Sequence, residues 1–576
     1  RTNVLVLQAE SPERWYRFHP LMKEFLNRQP TGMRSSSELH IRAAEWFRSH
    51  ERPIDAFEHA LLADNQKLAA EIVGEIALGL FFSGAGSTII RMTERLAPEI
   101  VAAEPEACVA RAYAHVMRFE FDEANRFLEY ANDAVHTGPK NGEKVRQHDP
   151  LRDRLVAGQI AAAEASIATF ERNLPRCITR SLDAIDLLGS DSPDVLEIAH
   201  VSLGTAYWGQ GDLSRAFEAF QQVDRRAGQK EISLVRYMAV CNASHVLIEL
   251  GRLDEAEAML RSTLERWPAP SGQDYPFAAM AYTGLTEIAL LRCEAESAQT
   301  NSAIATSLAD TWGSVELMLS ARSQAARAAQ AVGDSEACGS LIAEARELAI
   351  SRSNDWWLNK IDSQQARFMA RRSEPDNFVD SSKIPQVDYE NLFNCLTFAE
   401  VLIEQQKFMV AGELIDEIEK FSAQGGNRIV EASAKSLRLL LSIRAGTPHD
   451  AELQEALSAA APNRTWRLLL KHGTDITDVL SSSGEQLAAA GASELLGLLE
   501  DKLVVDEVAE RFQLSERELE VFELIYDGLS NDEIGEKLFV AQSTIKTHIN
   551  RLYRKIDVST RAQAVSWAAQ NGLFSK

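Results

Sequence analysis

Along most of the chain, apolar residues recur at i, i+3, i+4 and i+7, and almost no stretch alternates apolar with polar residues. At 3.6 residues per turn that spacing gathers them on one stripe, so it predicts amphipathic helices. The helices come in pairs. The clearest pair, VSLGTAYWGQGDLSRAFEAFQQV from Val201 to Val223, is a helix, a tight turn at Gly211 and Asp212, and a second helix with the small Ala216 five residues after the glycine. HVLIELGRLDEAEAMLRSTLERWP repeats it, with Gly251 at the turn, Ala256 five residues on and Pro268 closing. Cys293 with Ala298 and Gly333 with Cys338 continue the rule, so these turns stand 40, 42 and 40 residues apart. Weaker copies occur at Glu51/Ala56, Phe119/Ala124, Arg172/Cys177 and Gln406/Ala411.

A small residue at the +5 position lets two antiparallel helices approach closely, and glycine supplies the left-handed turn between them. One hairpin cannot bury its apolar face alone, so neighbours stack into a superhelix. The units resemble tetratricopeptide repeats lengthened from about 34 residues to about 40. In the best copy Leu203, Gly204, Tyr207, Gly211, Ala216 and Phe220 carry that resemblance. Two polar, proline-bearing interruptions, 136–150 and 373–390, read as loops, and the Ser/Gly/Ala-rich stretch 481–494 reads as a partly helical linker.

Composition first points away from nucleic acid. The 576 residues hold 60 basic and 84 acidic side chains, a net charge of −24, with 45% hydrophobic and 25% charged residues. Those fractions are ordinary for globular chains and exclude a disordered or fibrous one. No run reaches the ~18 apolar residues of a membrane-spanning helix, and RTNVLVLQAE lacks the features of a signal peptide while reading as a strand. Cys108, Cys177, Cys241, Cys293, Cys338 and Cys395 form no CxxC pair or His cluster. They read as small buried hydrophobes in a reducing, cytoplasmic setting, with no metal expected.

The last sixty residues differ in character. Ser515 with Glu518 forms a capping box opening one helix that Gly528 ends; Ser530 with Glu533 caps a second, 531–537. A turn from Leu538 to Ala541 leads to a third helix from Gln542 to Ile556, and Thr560 starts a fourth. A short helix, a tight turn and a longer basic helix is the helix-turn-helix arrangement, whose second member enters the major groove. Residues 516–536 carry eight acids against Arg517, net −7. Residues 537–561 carry Lys537, Lys546, Arg551, Arg554, Lys555 and Arg561 against Asp557, net +5. Residues 514–576 are net −1, so the acidity belongs to the repeats and the basic island to the third helix.

This segment resembles the LuxR-type helix-turn-helix family over about sixty residues: Leu514, Arg517, Glu518, Glu520 and Val521; Gly528, Ser530, Asn531, Glu533 and Ile534; Thr544, Lys546, His548, Tyr553, Lys555, Val558, Arg561 and Ala564. Gly535 and Ala541 depart from the family's usual Ala and Ser; a mid-helix glycine costs ~1 kcal/mol relative to alanine. The resemblance implies that Lys546, Thr547 and Asn550 read base edges, through guanine O6/N7, a thymine methyl and adenine respectively. It leaves Ser543, Thr544, Arg551, Arg554, Lys555 and Arg561 for phosphates, which set register. His548 reads as packed or near the DNA backbone. The fourth helix, with Val565, Trp567 and Ala568, is the family's dimerisation element, unless those residues close the domain's own core.

RWYRFHPLMKEFL (14–26) and the segment 39–73 are similar to the region following the nucleotide-binding module of large MalT-type regulators of the LuxR superfamily. That resemblance implies an order of ATPase, winged helix, tetratricopeptide sensor and helix-turn-helix. No GxxxxGK[ST] occurs, and Gly84, Gly86 and Thr88 lack the lysine of a phosphate-clamping loop. The expectation is therefore an N-terminally truncated chain with no cofactor of its own, ATP belonging to the missing module. The fold class expected is all-α: a tetratricopeptide-like superhelix followed by a four-helix LuxR-type helix-turn-helix domain, with a winged-helix remnant at the N-terminus. The expected domains are that remnant at 1–35, N-terminal hairpins at 36–135, the repeat array at 151–372, its C-terminal repeats at 391–472, a linker at 473–508 and the helix-turn-helix domain at 509–576.

Superposing the repeats puts Thr205, His245, Glu287 and Arg327 at one register of successive first helices, with Trp208 one turn along from Thr205. In tetratricopeptide arrays that register faces the concave groove, and this polar row is the candidate effector site. The chain holds no Ser/His/Asp set, metal-ligand cluster or HExxH, so catalysis is not expected. Two readings remain. One is a transcriptional regulator, by family expectation an activator, that binds double-stranded DNA as a homodimer or higher oligomer, engages RNA polymerase and answers a small-molecule or protein effector. The other is an interaction scaffold with a C-terminal docking module.

Overall fold

A computed structural model describes residues 6–8, 16–18, 20–27, 36–82, 85–137, 149–226, 233–267, 274–352, 354–370, 384–492, 494–499, 512, 514–538, 542–570 and 573–574. Most of the two predicted interruptions, and Gly84 and Ala541, lie outside the described residues. The chain divides into two compact units, Arg1–Ala206 and Tyr207–Lys576.

In the first unit, strands Val6–Gln8 and Tyr16–Phe18 pair antiparallel with Leu7 opposite Arg17, and helix Pro20–Asn27 follows. Helical hairpins then stack: Ser36–Ser49 with Pro53–Leu62, Gln66–Phe82 with Gly86–Thr93, Pro105–Val116 with Phe121–Thr137, and Pro150–Phe170 with Leu174–Leu188. Phe57, Ile72, Ile89, Tyr113, Ile167 and Leu188 lie in one continuous core, because each hairpin covers its neighbour's apolar face.

The turn rule holds at every copy. Glu51, Phe119, Arg172, Gly211, Gly251, Cys293, Gly333 and Gln406 all adopt positive φ, between 56° and 82°. The partner five residues on is at most 2% exposed in each case. A left-handed L-residue costs roughly 1–2 kcal/mol, so Phe119 and Arg172 hold their conformation because the packed helices on either side impose it. A further copy, Asp64 (φ 57°) with the fully buried Ala69, escaped the sequence reading.

In the second unit the hairpins continue with Leu234–Glu249 and Leu253–Arg266, Ala279–Leu291 and Ala295–Trp312, and Val315–Ala331 and Ser335–Ser351. After Asp355–Ala370 come Leu392–Glu404 with Phe408–Gly425 and Arg428–Arg444 with Asp450–Ala460. The late hairpins curl back onto the early ones. Tyr237, Leu253 and Ile288 share a core with Ala432 and Leu468. The turns touch: a Cβ added at Gly425 would sit 3.0 Å from the Gly211 carbonyl oxygen. A Cβ there would be tighter than most side chains accept, so glycine suits that approach of two backbones.

The region 473–508, expected as a linker, is packed helix over its described part. Thr474–Ser482, Gly484–Ala489 and helical residues 494–499 bury Ile476, Leu480, Leu487, Leu495 and Leu499 in the late-repeat core beside Leu440 and Trp466. The Ser/Gly/Ala composition masked a sparse but regular apolar stripe.

Candidate nucleic-acid interface

The C-terminal helices form where their start signals place them. Helix Glu516–Tyr526 opens on a full capping box: Ser515 N donates to Glu518 Oε2 at 2.9 Å, and Glu518 N to Ser515 Oγ at 3.3 Å. Ser530 and Glu533 repeat the exchange at 2.7 and 3.3 Å ahead of Asn531–Lys537. The long third helix is Gln542–Lys555, and Thr560 Oγ1 accepts from Gln563 N at the start of Arg561–Gln570. Val521, Phe522, Ile525, Ile534, Ile545, Ile549, Leu552, Ile556 and Ala568 make the core.

Because Ile545, Ile549 and Leu552 occupy the buried stripe of the third helix, the opposite stripe is fixed outward. Thr544, Lys546, Thr547, Asn550, Arg551 and Arg554 are all exposed there. The side chain of Ser543 lies outside the described residues. The three residues expected to read bases and two of the expected phosphate-binding arginines thus lie on one face. Gly535 is buried in the second helix.

Two of the expected phosphate ligands point inward instead. Lys555 Nζ bonds Glu518 Oε2 at 2.5 Å, and Glu518 is 3% exposed. Burial acts to raise the Glu518 carboxyl, but Lys555 and Ser515 outweigh it and hold it below the ordinary carboxylate range. Arg561 Nη2 donates to the Ile525 carbonyl at 3.0 Å, closing the end of the first helix. Lys555 and Arg561 therefore bond within the domain, unlike the exposed Arg551 and Arg554. The contacts of Arg517 were not foreseen: it bonds Glu520 at 2.6 Å and reaches the Leu538 carbonyl at 3.0 Å. That places it across the start of the turn between the second and third helices. His548 is half-buried, and burial together with the charges of Arg517 and Arg551 lowers its pKa.

The expected dimer residues close the domain. Ala568 is fully buried, and Trp567 packs edge-on against Phe512 at 4.9 Å and near Phe522 at 6.0 Å. Val565 is half-buried against the same core.

In the second unit the polar row of the repeats is a connected set. Trp208 stacks on His245 with ring centroids 6.2 Å apart. Arg327 bonds Glu287 at 2.6 and 3.0 Å, and Gln324 joins the same carboxylate. Burial acts to raise the Glu287 carboxyl, yet Arg327, Gln324 and His245 together leave it lowered. Burial holds His245 below the ordinary histidine value. Thr205, on helix Pro193–Gly209, donates its hydroxyl to the Val201 carbonyl at 2.9 Å, within its own helix. Beside the row, and unseen in the sequence, Glu249 accepts from Trp208 Nε1 at 2.9 Å, Asn427 Nδ2 at 2.8 Å and the Tyr389 hydroxyl.

The profile of the MalT-like TPR region matches residues 158–486, more than half of the chain. The chain belongs to the MalT-like TPR family. The profile of bacterial regulatory proteins of the luxR family matches residues 513–568, the four-helix domain. Among curated relatives, the HTH-type transcriptional regulator MalT of Vibrio cholerae is 23% identical over 613 residues, covering 99% of this chain and 66% of its own length. That of Yersinia enterocolitica is 24% identical over 627 residues, covering 99% and 65%. The chain thus spans just under two thirds of the length of these MalT relatives. The solved Rap protein complexed with competence and sporulation factor aligns at TM-score 0.38 and 11% identity, over 71% of this chain and 99% of that one. MalT-like repeats and a LuxR-type helix-turn-helix thus lie in one chain. Among the described residues no helix is long and apolar enough to cross a membrane.

Proposed function

We propose that the chain is a sequence-specific, double-stranded-DNA-binding transcriptional activator whose repeat array receives a small-molecule or protein effector. The observation that carries the DNA-binding half is the outward stripe Lys546, Thr547, Asn550, Arg551 and Arg554 on a helix whose opposite stripe is fixed in the core. In this reading Lys546 donates to guanine O6/N7, Asn550 bonds adenine through its amide, and the Thr547 methyl meets a thymine methyl. Arg551, Arg554 and Thr544 hold phosphates and set the register. The acidic array keeps the rest of the molecule off DNA. Homodimerisation on DNA and contact with RNA polymerase follow from the family resemblance. The connected row Trp208, His245, Glu287 and Arg327 supports the effector half.

A salt titration on duplex DNA tests it. Each phosphate contact should contribute about −0.9 to the slope of log K against log salt. Binding whose strength ignores salt would leave the scaffold reading in its place.

A further inference from the structure

The contacts between early and late hairpins of the second unit are of two kinds, and they adjoin at Gly251, where a Cβ would lie 3.1 Å from Arg428 Cβ. Around Tyr237, Leu253, Ala432 and Leu468 the contact is apolar, and a charge pair crosses it where Arg464 reaches Asp254 at 3.3 Å. Around the Gly211 and Gly425 turns the contact is polar. There the closest approach is backbone to backbone, with the Tyr389 ring lying where a Gly211 Cβ would come within 3.0 Å. The Glu249 carboxylate ties that side, bonding Trp208 of its own hairpin run, Tyr389 140 residues on and Asn427 178 residues on. All three donors are neutral, and the carboxylate they hold is half-buried. Burial pushes the Glu249 carboxyl up, with the bonds from Tyr389 and Trp208 and the charge of Lys360 opposing it.

Trp208 belongs to both sets. Its indole N–H donates to Glu249, and its ring stacks on His245 at the end of the polar row. Whatever contacts the Trp208 ring from the groove therefore acts on the Glu249 contact as well.

We propose that the Glu249–Tyr389–Asn427 cluster is a clasp gating the concave polar row, with the apolar contact around Tyr237 and Leu468 as the hinge on which it opens. This rests on the reading of that row as the effector groove.

Asn427→Asp tests the clasp cleanly. Asn427 Oδ1 caps the next helix by accepting from Val430 N at 3.0 Å, and aspartate keeps that acceptor. It also replaces the N–H donor with a carboxylate facing Glu249. Adding Glu249→Gln restores a donor to the pair. The readouts are amide exchange and carbethoxylation of His245 in the full chain, without DNA or effector. Asn427→Asp should speed exchange at 208–212, 384–392 and 420–430 about tenfold, equivalent to ~1.4 kcal/mol, and raise His245 labelling. The double variant should reverse both, and exchange in Glu516–Tyr526 should stay unchanged. Tyr389→Phe should act at the same places more weakly, and it carries the test if Asn427→Asp fails to fold. Unchanged exchange and labelling would overturn the clasp, as would losses across the whole unit that Glu249→Gln does not reverse. Salt-dependent DNA binding is read separately, so failure of the gate and failure of the DNA-binding reading are distinguishable.

Discussion

Two adjacent basic residues at the end of the third helix should behave oppositely when removed. Lys555 is bonded to a carboxylate that is 3% exposed; Arg554 is exposed on the outward stripe. Lys555→Ala leaves Glu518 with its Ser515 N donor at 2.9 Å and no cation. Stranding a fully buried charge costs ~3–5 kcal/mol. The Lys555 side chain is 32% exposed, so water reaches the vacated place and the expected loss falls to about 2 kcal/mol. That loss speeds amide exchange in Glu516–Tyr526 about 30-fold. The slope of log K against log salt should not change. Arg554→Ala should leave exchange unchanged and make the slope shallower by about 0.9 per chain. Native-state exchange by mass spectrometry and a duplex salt titration read the two quantities independently. If Lys555→Ala instead makes the slope shallower by about 0.9 while exchange stays as in the wild type, the ion pair is not what Lys555 does.

Gly425→Ala should destabilise the second unit by about 1–3 kcal/mol and so lower its denaturation midpoint, because the new Cβ presses on a backbone oxygen at 3.0 Å. A raised midpoint would mean that the turns are not held in contact. Glu287→Ala removes the acceptor of Arg327 and Gln324 in the half-buried row and should cost roughly 1–3 kcal/mol by chemical denaturation. A cost below about 0.5 kcal/mol would show a screened surface pair. The Glu518 carboxyl is held below its unfolded value, so its contribution is present above the unfolded carboxylate pKa and is lost as pH falls through the folded one. The stability difference between wild type and Glu518→Gln should therefore be flat at neutral pH and shrink on acidification below about pH 4.5. A difference that grows there would contradict the ion pair.

The repeats were legible because their signal is local. A left-handed turn residue and a small residue five positions on are both dictated within one hairpin, and positions as unlike glycine as Phe119 and Arg172 obey the rule. Asp64 with Ala69 was missed because its turn follows that of Glu51 by 13 residues and breaks the period of about 40. The four terminal helices were equally readable from caps and apolar spacing, as Ser515 and Ser530 show. Two things were not. Charge type does not say whether a cation faces outward or an internal carboxylate, so Lys555 and Arg561 looked the same as Arg551 and Arg554. The Glu249 clasp joins residues 140 and 178 apart, and no local pattern in helix Leu234–Glu249 announces a distant partner.

The central claim is that sequence is read by the outward face of Gln542–Lys555. Selecting bound duplexes from a random-sequence pool with the full chain tests it most directly, alongside the Lys546→Ala, Asn550→Ala double variant. The wild type should enrich a defined motif, and the double variant should lose that motif while retaining salt-sensitive binding through Arg551 and Arg554. Enrichment of the same motif by both proteins, or of none by the wild type, would contradict it.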